Sequence, residues 1–146
     1  MKKGLICLAI ILLAMPSVLM AETFKSKKDV SGFIASLSTE IVQGKIKEVF
    51  DKIKPYWPIP EQEIDVIVYQ LENQRNQIIS RFGKRLSIER AETFEIGDSF
   101  YREVYLVKYE KHAVAWVFTF YKPMEQWIVN SVRTSDQMDD FFQKKK

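Results

Sequence analysis

The sequence predicts an α+β protein in which N-terminal helices, one of them long, pack on a curved four-stranded antiparallel meander sheet. Three observations predict it. Apolar residues recur with helical spacing before Gly83, they alternate with other residues after it, and the alternating runs are joined by connections too short for parallel crossovers.

In the helical half, Ser26 or Asp29 can cap a first helix whose residues Val30, Phe33, Ile34, Leu37 and Ile41 fall on one face, with Gly44 closing it. Ile46, Val49, Phe50 and Ile53 form a second, short stripe that ends at Lys54-Pro55, because the residue before a proline avoids helix. Three prolines between Pro55 and Pro60 predict a stiff, extended connector. Pro60 suits the first position of a third helix, and Glu61 and Glu63 complement its N-terminal dipole. Ile64, Ile67, Val68, Leu71, Ile78, Ile79 and Phe82 continue one face up to Gly83, so this longest element is expected to be the core helix, lying diagonally across the sheet.

Strands are expected over 86–96, 99–109, 113–121 and 126–134, with turns at Gly97-Asp98, Glu110-Lys111 and Lys122–Glu125. The simplest register puts Leu86, Ile88, Arg90, Glu92 and Phe94 on one face with Tyr101, Glu103, Tyr105 and Val107. Val114, Trp116, Phe118, Phe120, Trp127 and Val129 continue that face, which is the bulkier one and the one the helices are expected to cover. The other face gathers Val104, Leu106, Val117, Ile128 and Val132. An apolar patch of that kind needs a cover, and a second copy of the chain is the expected one. A short helix over Met138 to Phe142, carrying Phe141 and Phe142, is the competing cover.

Residues 1–21 have the layout of a signal peptide, and 22–146 form a single domain. Lys2 and Lys3 precede an apolar run that Pro16 interrupts, and Ala21 offers a cleavage position. The expected location is periplasmic or secreted, and the mature form is not expected to span a membrane. Left uncleaved, the 18 residues from Gly4 to Ala21 are just long enough to anchor the chain. Cys7 is the one cysteine, so no disulfide is available to the mature domain, and a single histidine excludes a Cys/His zinc site. Removing Lys2 and Lys3 leaves 20 basic residues against 19 acidic ones. That balance gives no basic footprint for nucleic acid, which is not an expected partner. No glycine-rich phosphate loop, calcium loop or other cofactor motif is present, and neither a cofactor nor a metal is expected.

The order of elements from Val30 to Val132 and the closing strand Glu125-Gln126-Trp127-Ile128-Val129-Asn130-Ser131 resemble the nuclear-transport-factor-two-like family of the cystatin-like superfold. The resemblance covers nearly the whole mature chain and is architectural. It implies a cone-like cavity between helices and sheet, and dimers through the opposite sheet face. Catalytic members carry an aspartate or histidine in that cavity, and no residue here matches that position.

Two carboxylates interrupt the aromatic face. The register sets Glu92 opposite Glu103, an arrangement in which mutual repulsion and burial raise one pKa and produce a candidate base, with Tyr69 or Tyr105 as hydrogen-bond donor. A one-residue slip turns both outward. Tyr69, Arg90, Tyr105, Trp116 and Trp127 are the candidate ligand-binding residues of a cleft between the long helix and the sheet, although core packing accounts for the aromatic ones equally. His112 follows a turn and is expected to face solvent. The leading functional expectation is an exported, non-enzymatic binding module for a small apolar or amphipathic ligand, or for an envelope-protein partner, in that cleft. An isomerase- or hydrolase-like enzyme with a glutamate base, and a structural protein dimerising through the sheet, are the alternatives.

Overall fold

The computed structural model describes residues 21–142. Residues 1–20 of the expected export signal and the Lys144–Lys146 tail lie outside the described residues. Three helices pack on a four-stranded antiparallel sheet of order β1-β2-β3-β4, the expected α+β arrangement. Among the described residues no helix is long and apolar enough to cross a membrane.

Helix α1 spans Lys27–Gln43. The extended Ser26 caps it by accepting the Asp29 N–H on Oγ at 3.1 Å, satisfying one of the otherwise orphaned donors of the first turn. Gly44, at φ +72°, ends the helix in the left-handed conformation; a side chain there would also run into the Arg85 guanidinium. Val30, Ile34, Leu37 and Ile41 repeat at the helical period and are fully buried. Helix α2, Ile46–Ile53, buries Ile46, Val49, Phe50 and Ile53. Its continuation differs from the extended connector expected, because Lys54–Tyr56 form a 3-10 turn before Trp57 becomes extended. Pro55 suits the start of such a turn, where its missing N–H has no partner to lose.

Helix α3, Glu61–Phe82, begins one residue later than expected, with Pro60 outside it as the cap. It is not the core helix. Only Ile64 and Phe82 at its two ends are buried, while Ile67, Val68, Leu71 and Ile78 are partly buried against the core. The reason lies between Leu71 and Ile78. Gln74 and Arg75 occupy the positions one turn from both, so polar residues interrupt the stripe at mid-helix and the stretch 72–77 is exposed throughout. The short α1 and α2, with uninterrupted stripes, take the centre of the core instead.

Strands β1 (Arg85–Ile96), β2 (Phe100–Tyr109), β3 (Ala113–Tyr121) and β4 (Ile128–Ser135) form the meander. The helices cover the aromatic face, as expected: Tyr101, Tyr105, Val107, Trp116, Phe118, Phe120, Trp127 and Val129 share one core with α1 and α2. Three irregularities alter the edge strands. Register shifts at Leu86 and Ala91 bring Arg85, Ile88, Arg90, Thr93 and Glu95 opposite inward-facing residues of β2. Glu92 and Phe94 turn to the outer face, Glu92 opposite Val104 and Phe94 packed with it. Glu92 is therefore not opposite Glu103, because one extra residue reverses every side chain beyond it. The third shift, at Asn130, brings Val132 opposite Phe118 and into the inner core, so Val132 does not belong to the outer patch.

On the outer face Val104, Ala115 and Val117 are buried, with Phe94, Leu106, Met138 and Phe141 packed against them. The cover among the described residues is the competing one, a 3-10 turn over Met138–Phe141. The Asp136 backbone leading into it is fixed from the side: its carbonyl lies 2.9 Å from His112 Nε2, and its carboxylate pairs with Arg81 at 3.3 Å. His112 is half-buried, its ring 4.6 Å from that of Phe82, rather than exposed on a turn.

Candidate functional site

Among the described residues Glu103 is the one acidic side chain in the aromatic core, and it is wholly buried. The alternation of β2 puts Tyr101, Glu103 and Tyr105 in a row on the inner face, and α1 lowers Ser31 onto that row. Tyr101 donates its hydroxyl to Oε1 at 2.6 Å, and the Ser31 hydroxyl donates to the same oxygen. The Arg90 guanidinium approaches that oxygen at 3.7 Å from a half-exposed side chain, supplying the opposite charge that a buried carboxylate needs. The second oxygen, Oε2, is buried without a hydrogen bond.

Tyr105 faces the same carboxylate without reaching hydrogen-bond geometry. Burial pushes both phenols up from the ordinary 10.0, and the neighbouring carboxylate adds to the effect in each. Both therefore stay neutral over the physiological range, with Tyr101 a standing donor to Glu103.

The other expected site residues separate from this row. Glu92 is exposed on the opposite face, where one oxygen accepts the Thr93 N–H at 3.3 Å. Tyr69 is 67 % exposed, because one residue beyond Val68 it is turned about 100° away from the buried stripe. Trp116 is packed between Phe118 and Phe50, with ring centroids 6.1 and 6.4 Å away. Trp127 meets Tyr101 edge-on, and the ammonium groups of Lys27 and Lys122 approach its ring at 5.9 and 5.3 Å. Ser31 and Tyr101 were missed as site residues. Tyr101 is legible as the residue two before Glu103 on one face; Ser31 becomes legible only once α1 is known to cross β2.

The openings lie elsewhere. Two contiguous grooves of about 280 and 200 Å³ run between α3 and β4, sharing Gln74 and Thr134. Ile67, Leu71 and Ile78 form the helix side and Val132 and Val114 the sheet side, with Gln70, Gln74 and Gln77 along the rim. The polar middle of α3 keeps these grooves open, where a continuous apolar stripe would close them.

The edge of β4 borders the same grooves. Trp127 exchanges both main-chain hydrogen bonds, each 2.8 Å, with Phe24 on the side away from β3. Along one strand, residues whose side chains share a face direct their N–H and C=O groups to the same side. Val132 and Thr134 share the inner face with Trp127, so their main-chain groups point outward as well. Among the described residues nothing hydrogen-bonds to them.

No three His, Cys, Asp or Glu side chains converge on a metal position among the described residues. The architecture defines the class of the protein, three helices on one face of an antiparallel meander with an open edge. Comparison adds no particular family: no family model matches the chain, and no curated protein and no solved structure is significantly similar to it.

Proposed function

We propose that the protein is an exported, non-enzymatic binding module that takes an extended segment of an envelope polypeptide into the groove between α3 and the free edge of β4. The observation that carries this reading is the unpaired main chain of Val132 and Thr134 beside an open, partly apolar groove. An added strand satisfies such an edge through its backbone, and the flanking groove selects alternate side chains. A polypeptide fits better than a small apolar ligand over the aromatic face, because Trp116, Phe118 and Trp127 there are packed among other core groups. Export rests on the N-terminal layout of residues 1–21, and kinship with the nuclear-transport-factor-two-like family remains part of the proposal, supported by the order of elements.

The test uses peptides selected from a random library for binding to the protein. Those that bind as strands shift the amide resonances of Val132 and Thr134, and Thr134→Pro weakens them by roughly tenfold or more, since proline at an edge position removes the outward donor without disturbing the ladder. Peptides that bind the variant equally well would contradict the reading.

A second reading, an enzyme with Glu103 as base, is favoured by its unpaired oxygen. It requires substrate access that none of the cavities described above provides, and Glu103→Gln with any activity retained ends it. Pairing of two copies through the outer face is a separate proposal resting on Leu106 and Ile128. Light scattering on Leu106→Glu tests it: an assembly state unchanged from wild type rejects it.

A further inference from the structure

The outer face of the sheet holds two arginines that no described carboxylate pairs with. Arg102 projects from β2 beside Thr119 of β3, and Arg133 from β4 lies one row along the same face, opposite Val117. Neither forms a salt bridge with a described residue, in contrast to Arg81 and Arg90. Glu92, the nearest acid along that face of β1, is opposite Val104 and does not reach Arg102. Arg102 is partly buried and fixed: its Nε donates to Thr119 Oγ1 at 3.0 Å, and its two terminal nitrogens have no described partner.

Arg102 lines a cavity of about 180 Å³ whose other walls are Phe94, Ile96, Phe100 and Tyr101 together with the more polar Thr119 and Asn130. The register shift at Ala91 brings Phe94 to this face, and the shift at Asn130 leaves that residue at the rim. The 3-10 turn of Met138–Phe141 covers the neighbouring Val104 and Val117 and stops short of the cavity, none of whose lining residues it supplies. Burial, and then the like charge of Arg133, hold the Arg102 guanidinium below its ordinary value, as expected of paired cations without a counter-charge.

We propose that this cavity binds a small monocarboxylate with an apolar body, the carboxylate on the terminal nitrogens of Arg102 and the body against Phe94, Ile96 and Phe100. A planar guanidinium with one edge occupied by Thr119 still offers a donor pair to a carboxylate. Arg133 adds long-range attraction, and Asn130 an additional polar contact. The volume sets the size: about 150 Å³ is enough to hold one benzene ring, so the ligand is of the order of one ring or a short acyl chain. This cavity is distinct from the α3–β4 groove, which Arg133 also lines, so Arg102→Gln is the variant that separates the two sites.

The experiment titrates the full chain with benzoate, benzamide and inorganic phosphate, reading amide and side-chain resonances. Benzoate is expected to shift Arg102, Thr119 and Asn130 saturably with one site, more weakly at high salt, while neutral benzamide and phosphate do not. Arg102→Gln is expected to weaken benzoate by roughly tenfold or more, and Arg133→Gln, at an exposed position, by less. If Arg102→Gln fails to fold, Arg133→Gln and the salt dependence still decide. Equal shifts from benzamide, equal binding of phosphate, no saturable shift at the three residues, or indifference to both substitutions would each overturn the assignment.

Discussion

Glu103 shows how a single charge is retained in an aromatic core. Its first oxygen is held by the Tyr101 and Ser31 hydroxyls and faced by Arg90. Tyr101→Phe removes a hydrogen bond to a buried charge and is expected to cost about 2 kcal/mol in urea unfolding; an unchanged midpoint would show that this bond contributes nothing. The tyrosines also predict an alkaline response. Their folded-state values lie above the ordinary 10.0, so the unfolded chain ionises first, stability is complete below pH 10.0 and falls as the pH rises through the folded values. Tyr105→Phe is expected to flatten that decline in pH-dependent unfolding, and a variant with an unaltered slope would contradict the shift. At this scale the sequence was informative: Glu103 and Tyr105 stand together on the inner face, as alternation along β2 predicts. Glu92 was not legible, because nothing in Arg90-Ala91-Glu92 announces the extra residue that turns it outward.

Among the elements, burial and length part company. The 22-residue α3 buries only its ends, whereas α1 buries four residues at consecutive helical positions. Ile34→Ala is accordingly expected to cost about 3 kcal/mol, and Val66→Ala, at a 55 % exposed position on α3, less than about 0.5 kcal/mol; thermal unfolding of the pair measures the contrast. Both helices were readable in outline from apolar spacing, with their ends marked by Ser26, Gly44 and Gly83. Which helix lies at the centre of the core was readable only from what lies between the apolar positions. Gln74 and Arg75 in the middle of the stripe outweigh seven well-spaced apolar residues, since a polar pair facing the sheet without partners would cost more than the contacts it permits. The strand boundaries followed alternation within a residue or two, and the departures in register all fall on β1 and β4, the two edges, where only one neighbour fixes the pairing.

For the whole molecule, the two sheet faces end up with different tasks. The inner face is closed by α1 and α2 and the outer one is partly closed by Met138–Phe141, and the α3–β4 groove and the Arg102 cavity are two places where the described residues present both apolar surface and unpaired polar groups. The first arises from the polar interruption of α3, the second from the register shifts in β1 and β4; neither is visible in a pattern of alternating residues, because both depend on where that pattern fails. The central claim, a free strand edge beside an open groove, is tested most directly by amide hydrogen exchange along β4 in the unliganded protein. Val132 and Thr134 are expected to exchange much faster than Arg133 and Ser135, whose N–H groups face β3. Uniform protection of all four residues would mean that the edge is already occupied, and would contradict the account.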